Sequence, residues 1–138
     1  MKLGFARTAY PVILSASVVL AALISQDAHA VNGKKSYAAN CQACHQAEGQ
    51  GIPGAFPPLN DNPHIQQDKL HIARTVLKGM SGELEVKGKT YNAAMPAQPH
   101  LTDVEIAQIA TYILQQFDNG GGTVTPEEVA EVREEVNK

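Results

Sequence analysis

The sequence predicts a small all-α domain, a bundle of short helices interrupted by one β-hairpin. Apolar residues recur at helical spacing in four segments, and two of these segments begin with a capping box. The stretch "GELEVKGKTY" (82–91) instead alternates apolar and polar residues around Lys-Gly, as a hairpin does. Glycine and proline crowd the stretch "GQGIPGAFPPLNDNP" (49–63), which we therefore predict to be a loop.

The first two helices are predicted on either side of this loop. In "NGKKSYAANCQAC", helical spacing places Tyr37, Ala38 and Cys41 on one face. The second helix is expected to start after Asp68, a suitable N-cap, and to end at Gly79, with apolar residues at helical spacing between them.

The clearest helix begins next to Leu101. Thr102 and Glu105 form a capping box, and Leu101 with Ile106 forms a hydrophobic staple. The apolar stripe continues to Phe117, and the glycines of "NGGG" then end the helix.

A further helix is predicted at the end of the chain, in "TPEEVAEVREEVNK". Thr125 is its N-cap, and Glu128 completes a second capping box. We expect its three valines, at positions 129, 132 and 136, to pack back on the domain; a docking helix for a partner is the alternative. We therefore predict one domain over residues 31–122, followed by an acidic helical extension over residues 123–138.

The first thirty residues have the features of an export signal. Lys2 and Arg7 give a positive segment, residues 12–24 are an apolar run, and "AHA" (28–30) is a pattern that signal peptidases cut. An uncleaved anchor is the alternative, but the apolar run covers only about 20 Å of helix, short of a bilayer core of about 30 Å. We therefore expect residues 1–30 to be a cleaved signal peptide, with no stable membrane insertion afterwards.

The composition limits the function of the exported part. The chain contains no tryptophan and only 5% aromatic residues, so large core side chains are scarce for a domain of this size. A cofactor would fill the middle of such a domain. The net charge is −3 and the lysines are scattered, which gives no basic surface for nucleic acid.

Both cysteines of the chain lie in "CQACH", where Cys41, Cys44 and His45 fall within five consecutive positions. A redox dithiol is one interpretation, but thioredoxin-like folds place this motif after a buried strand, and "GKKSYAAN" contains no β-branched run. A zinc site is a second interpretation. It needs four ligands, and the chain offers no further cysteine and only histidines at irregular gaps.

The third interpretation is the C-x-x-C-H attachment site of a c-type haem. Two thiols at this spacing can each add to one of the adjacent vinyl groups of a haem. The residue directly after the second thiol then lies beneath the iron, where an imidazole can bind it. An export signal agrees with this interpretation, because covalent haem attachment in bacteria occurs outside the cytoplasm.

With this motif, the chain resembles the class I c-type cytochromes over nearly its whole length after residue 30. The resemblance implies that Cys41 and Cys44 form the thioether links to one covalent haem c. It implies that His45 is the proximal axial ligand of the iron and that Met95, in "AAMPAQ", is the distal one.

The same resemblance assigns supporting roles to two residues of the loop. Pro57 matches a proline whose carbonyl accepts a hydrogen bond from the proximal imidazole, and Leu59 matches a leucine that packs on the haem face. The implied fold is a small helical bundle wrapped around one haem. With a hairpin directly before the distal methionine, the chain resembles one branch of the family, which includes cytochrome domains that serve nitrite reductases and oxidases.

After residue 30, three histidines and one methionine remain without a role. His64, His71 and His100 are expected to be ordinary exposed side chains, and His71 lies off the apolar positions of its helix. The alternative is that one of them replaces Met95 as sixth ligand. Met80 follows the predicted end of the second helix, where we expect its side chain to make an apolar contact beside the helix cap.

The resemblance implies an electron carrier rather than an enzyme, because an iron with two protein ligands has no open site for a substrate. We expect a periplasmic protein that carries one electron between a donor complex and a terminal reductase or oxidase. Its redox partners would bind transiently, over interfaces below about 1,200 Å². The alternatives are a haem-based gas-binding or sensor protein and a fixed electron-transfer subunit of a dehydrogenase complex.

Overall fold

The computed structural model describes residues 32–92 and 94–138, so the expected signal peptide lies outside the described residues. Its mostly helical architecture with one small hairpin confirms the predicted fold class. Within the described ranges, no helix has the length and apolarity needed to cross a membrane. The elements in chain order are α1 (32–40), α2 (Gln42–His45), α3 (Pro63–Gln67), α4 (His71–Lys78), β1 (Leu84–Val86), β2 (Lys89–Tyr91), α5 (Asp103–Gln116) and α6 (Pro126–Val136).

Helix α1 approaches α5 closely at Gly33. A Cβ atom at this position would lie 2.5 Å from the carbonyl oxygen of Gln108 and 2.8 Å from the Cβ atom of Tyr112. Real Cβ atoms do not come so close, so a larger residue would push the two helices apart. Gly33 therefore sets the distance between α1, which leads into the cysteine motif, and α5, which forms the centre of the core.

The buried face of the N-terminal helical segment differs in one residue from the prediction. Tyr37 is 1% exposed and packs edge-on against Phe117 with ring centroids 5.1 Å apart. Cys41 is also buried, whereas Ala38, predicted on the same face, is exposed. The buried stripe follows the i, i+4 spacing of one helix face, which passes through Gly33, Tyr37 and Cys41.

The region between α2 and α4 contains a helix that the sequence analysis missed. Helix α3 has Pro63 at its first position, and the side chain of Asn62 caps it by accepting the N–H of His64 at 3.0 Å. Helix α4 also begins later than predicted. The Asp68 carboxylate accepts the N–H of Leu70 at 2.9 Å in the turn that precedes the helix, so Asp68 shapes this turn instead of capping α4.

The hairpin and the end of α4 are as predicted. Leu84 pairs with Tyr91 across the two antiparallel strands. Lys87 and Gly88 have φ angles of 52° and 69°, and positive φ at both positions is what a two-residue type I′ turn requires. Gly79 ends α4 with a φ angle of 73°.

Both predicted capping boxes are confirmed. At the start of α5, Thr102 Oγ1 accepts the N–H of Glu105 at 3.2 Å, and the Glu105 carboxylate accepts the N–H of Thr102 at 2.9 Å. Thr125 and Glu128 make the same pair of bonds at the start of α6, at 3.2 Å and 3.0 Å. Each box satisfies two of the N–H groups that a helix start leaves without a partner.

Helix α6 packs on α4 and α5 and belongs to the same hydrophobic core. Val129 is fully buried and Val132 is 2% exposed, while Val136 is partly buried against the core. The expected packing of the valine stripe on the domain is therefore observed. Arg133 reinforces it with an ion pair to Asp103, at 2.8 Å between Nε and Oδ1.

Candidate functional site

A cavity partly open to solvent lies between the cysteine motif, the loop that follows it, α4, the hairpin and α5. Most of the residues around it are apolar. The predicted site residues Cys41, Cys44, His45, Pro57, Leu59 and Met95 all line it.

His45 is held in one orientation at the wall of the cavity. Its side chain is buried, and Nδ1 lies 3.0 Å from the carbonyl oxygen of Pro57. A carbonyl can only accept, so Nδ1 carries the hydrogen and Nε2 keeps the lone pair that a metal needs. Burial lowers the pKa of His45, and the bond to Pro57 opposes this only in part. The imidazole is therefore fixed in the tautomer whose Nε2 could bind a metal ion.

The two cysteines differ in exposure and are not joined in a disulfide. Cys41 is buried and Cys44 is exposed. Burial, with a smaller effect of Cys44, raises the pKa of Cys41 to about 11. Redox-active Cys-x-x-Cys motifs have the opposite property, a lowered pKa, and follow a strand, whereas this motif follows helix α1. The raised pKa of Cys41 and the helix before the motif thus argue against a redox dithiol.

Gly51 permits the loop after the motif to fold onto His45. Its φ angle is 66°, and a Cβ atom there would lie 2.4 Å from the carbonyl oxygen of Phe56 and 2.8 Å from the carbonyl carbon of Pro57. Its N–H donates to the carbonyl oxygen of His45 at 2.9 Å. The close approach brings the Pro57 carbonyl within reach of the imidazole. This role was not predicted, although "GQG" (49–51) follows the motif after only three residues.

Two buried asparagines hold the same loop against the end of α5. Asn119 donates from Nδ2 to the carbonyl oxygens of Leu59 and Ile113, at 2.8 Å and 3.1 Å, and accepts the N–H of Asn62 at 2.9 Å. Asn62 donates in turn to the carbonyl oxygen of Pro58 at 2.7 Å. Because these groups are buried, each lost partner would be costly. Both asparagines were missed, since in the sequence they look like ordinary loop residues.

Met95 is paired through its backbone with Met80, fifteen positions earlier. The N–H of Met80 donates to the carbonyl oxygen of Met95 at 2.9 Å, and the reverse bond measures 2.8 Å. Both side chains line the cavity. Met80 therefore does more than make the apolar contact expected beside the helix end, since its backbone also pairs with that of Met95. Gly79 allows this pairing, because a Cβ atom there would lie 2.8 Å from the carbonyl oxygen of Met95.

The structure contradicts the prediction that His64 and His71 are exposed, since both are half-buried. His71 is half-buried and lines the cavity, and its ring stacks on that of His64 with centroids 5.8 Å apart. Burial lowers the pKa of His71, and the charge of neighbouring His64 acts in the same direction. The error arose because α4 has two neighbouring interior faces, one in the core and one, with His71 and Thr75, that lines the cavity. His100 is exposed, as expected.

The side chains around the cavity suit a covalently bound haem. The imidazole nitrogen of His45 and the thioether sulfur of Met95 are both axial ligands that haem iron accepts. The thiols of Cys41 and Cys44 lie at the wall of the same cavity, where they can bond to the vinyl groups. The apolar lining, to which Leu59 contributes, matches the flat face of a porphyrin.

Comparison with known proteins gives consistent matches. The family model for cytochrome c matches residues 30–117. Cytochrome c-552 of Thermus thermophilus is 37% identical over 113 residues, which cover 74% of this chain and 84% of that protein. The cytochrome c subunit of the quinone-dependent alcohol dehydrogenase of Gluconobacter oxydans is 32% identical over 116 residues, 81% of this chain but 24% of that protein. The fructose dehydrogenase cytochrome subunit of Gluconobacter japonicus is 33% identical over 111 residues, 74% of this chain and 22% of that protein.

Proposed function

The chain belongs to the cytochrome c family, and we propose that it is an exported electron carrier with a single haem. Its cofactor is one covalently bound haem c, and its activity is electron transfer to and from other proteins. In this it resembles electron carriers and not enzymes. The site residues, the compartment and the partners that follow below are parts of the proposal.

Four side chains hold the cofactor in this proposal. Cys41 and Cys44 form the thioether links, and His45 and Met95 are the axial ligands. One observation carries the assignment above the others: the His45 imidazole, fixed by the Pro57 carbonyl at 3.0 Å, lines the same cavity as both thiols and the Met95 thioether. Leu59 packs on the face of the bound group.

When bound, haem c supplies an iron that gains and loses one electron. His45 and Met95 would both bind this iron, which would leave no coordination site for a substrate. The thioether of Met95 favours the reduced iron, and burial in an apolar cavity acts in the same direction, so the potential is raised. The bonds of Asn119 to the loop and the pairing of Met80 with Met95 keep the cavity rigid, which limits rearrangement between the two oxidation states.

Partners would reach the site at the edge that carries the cysteines. Cys44 is exposed, so one attachment point lies at the protein surface. We place the protein in the periplasm, on the basis of the export signal expected in residues 1–30. There it carries electrons between a donor complex and a terminal reductase or oxidase, through brief encounters.

The experiment that tests the proposal compares Met95→Leu with the matched control Met80→Leu. Both substitutions nearly conserve volume, and both residues line the cavity. In Met95→Leu we expect loss of the sulfur-to-iron charge-transfer band of the oxidised protein, a lower midpoint potential and rapid binding of carbon monoxide by the reduced protein. Met80→Leu keeps the band and the potential, because its backbone pairing does not depend on the side chain.

The same measurements distinguish an electron carrier from a gas-binding or sensor protein. Wild type is expected to bind carbon monoxide slowly, since Met95 must first leave the iron. Rapid binding by the wild type would support the sensor. Loss of the band in Met80→Leu with retention in Met95→Leu would show that the axial assignment is wrong.

A fixed subunit of a dehydrogenase complex is the second candidate function. The observation in its favour is the similarity to cytochrome subunits of two dehydrogenases, of which this chain matches about a quarter. Isolation from the native host under mild conditions separates the candidates. A carrier elutes free of other proteins, whereas a subunit elutes with a dehydrogenase in constant proportion.

A further inference from the structure

Helix α6 lies outside residues 30–117, which the family model matches, yet it packs on α4, which precedes the loop that carries Met95, and bonds to the end of that loop, just before α5. We propose that α6 clamps this loop and that Arg133 is the positioning residue through which the clamp acts. The clamp sets how readily Met95 leaves the iron. The inference rests on the proposed function, because it requires Met95 to be the sixth ligand.

Arg133 holds the C-terminal end of the loop. Its Nε donates to Asp103 Oδ1 at 2.8 Å, in the first turn of α5. Its two terminal nitrogens donate to backbone carbonyl oxygens just before that turn, Nη1 to Pro99 at 3.1 Å and Nη2 to Leu101 at 2.7 Å. The planar guanidinium thus serves three acceptors within residues 99–103, an arrangement that the single ammonium of a lysine does not reproduce.

The N-terminal end of the loop is held through α4. Met95 pairs with Met80 directly after α4, and the N–H of Gln98 donates to the carbonyl oxygen of Val76 within α4, at 2.8 Å. Helix α4 packs in turn against α6. In the segment before α4, Lys69 forms an ion pair with Glu128 of α6 at 2.6 Å. One helix therefore contacts the elements on both sides of the Met95 loop.

The Lys69–Glu128 ion pair and the bonds of Arg133 link α6 to different parts of the chain. Lys69 and Glu128 join α6 to the segment before α4, away from the Met95 loop. Arg133 instead binds carbonyl groups of the loop itself, four and six positions after Met95. Hydrogen bonds from a charged donor are stronger than neutral ones, so loss of the guanidinium should raise the fraction of molecules in which the loop is open.

Imidazole is a suitable probe of that fraction. Added imidazole binds the iron only after Met95 has left, so its apparent affinity is scaled by the open fraction. Arg133→Met removes the guanidinium and keeps the aliphatic stem that packs on the protein. Lys69→Met is the matched control, because it removes the ion pair between Lys69 and Glu128 of α6 and leaves the hydrogen bonds of Arg133 in place.

The experiment titrates the oxidised holoproteins with imidazole and follows loss of the sulfur-to-iron band, and it records thermal unfolding by circular dichroism. We expect Arg133→Met to bind imidazole about tenfold more tightly than wild type. Lys69→Met is expected to stay within about twofold, even if both variants lower the melting temperature equally. Arg133→Lys should give an effect in between, and it provides the test if Arg133→Met does not fold.

Two results would overturn the inference in distinguishable ways. If imidazole binds the Arg133 variants no more tightly than Lys69→Met, α6 is a structural helix only, and the proposed function stands. If Met95→Leu keeps the sulfur-to-iron band, the axial assignment itself fails, and the clamp fails with it.

Discussion

At the scale of single residues, the site depends on two glycines that let backbone approach backbone. Gly51 lies against Phe56 and Pro57, and Gly79 lies against the Met95 loop. Both have positive φ angles, but so do Gly54 and Gly82, where an added Cβ atom would meet nothing within 4 Å. Positive φ alone is therefore common among the glycines of this chain, and close contact with backbone atoms distinguishes Gly51 and Gly79 from Gly54 and Gly82.

Gly51→Ala is predicted to displace the Pro57 carbonyl from His45. The strained φ costs about 1 kcal/mol, and overlap with Phe56 adds about 1–3 kcal/mol. A weaker hydrogen bond makes the imidazole a poorer electron donor, so the midpoint potential should rise. Chemical unfolding and redox titration measure the two effects.

Gly54→Ala is the control for this prediction, since it has the same kind of strain in the same loop without the overlap. It should lose only about 1 kcal/mol of stability and keep the potential of the wild type. Equal potentials in both variants would mean that the bond between His45 and Pro57 does not depend on Gly51.

Whether a site residue can be predicted from the sequence depends on how far along the chain its partners lie. Cys41, Cys44 and His45 were found because their chemistry lies within five positions. Pro57 and Met95 came only from the resemblance to a family, since no local pattern points to them. The roles of Met80, Asn62 and Asn119 were missed because each takes part in a hydrogen bond between residues 15 to 60 positions apart, which single-chain patterns do not reveal.

At the scale of elements, the helices with local signals were predicted correctly. The starts of α5 and α6 depend on side chains within four positions, and both capping boxes form. Helix α3 was missed because its signal, Asn62 followed by Pro63, is embedded in a stretch rich in glycine and proline. The start of α4 was misplaced because Asp68 bonds to a turn instead of to the helix.

The capping box of α5 is predicted to make stability depend on pH. Hydrogen bonds from the backbone N–H and hydroxyl of Thr102 lower the pKa of Glu105 below its ordinary value of 4.5. Because the folded state holds the lower pKa, this contribution is fully present above about pH 4.5 and is lost as the pH falls through the folded value. Glu105→Gln should therefore lower the melting temperature at pH 7, and the difference from wild type should shrink between about pH 5 and pH 3.

Glu131→Gln, at an exposed position of α6, is the control for the capping box. It should leave the melting temperature close to that of wild type across the same range. A difference between Glu105→Gln and wild type that stays constant down to pH 3 would contradict a role of the ionised carboxylate.

At the scale of the whole molecule, one hydrophobic core joins the cavity walls to the C-terminal extension. The core includes Ile109 and Ile113, which line the cavity, and Val129 and Val132 of α6. The predicted domain over residues 31–122 and the extension over residues 123–138 are thus distinguished by their resemblance to the family. In the folded protein, both parts pack into one core.

Val129→Ala is predicted to destabilise the holoprotein by about 1–3 kcal/mol, because Val129 is fully buried. Val104→Ala is the matched control, since Val104 is 48% exposed and its truncation should cost less than about 0.5 kcal/mol. Denaturant unfolding measures both. An equal, small effect of the two substitutions, together with slower reduction by a partner protein in Val129→Ala, would instead indicate that α6 is a docking helix.

The central claim is that Cys41 and Cys44 bind haem covalently within the cavity that also presents His45 and Met95. Mass spectrometry of the denatured, exported protein after treatment with a thiol-alkylating reagent tests this most directly. We predict the mass of the polypeptide from residue 31 onward plus one haem, with neither cysteine alkylated. A polypeptide that carries two alkylated cysteines, and whose haem extracts into acidified organic solvent, would contradict the account.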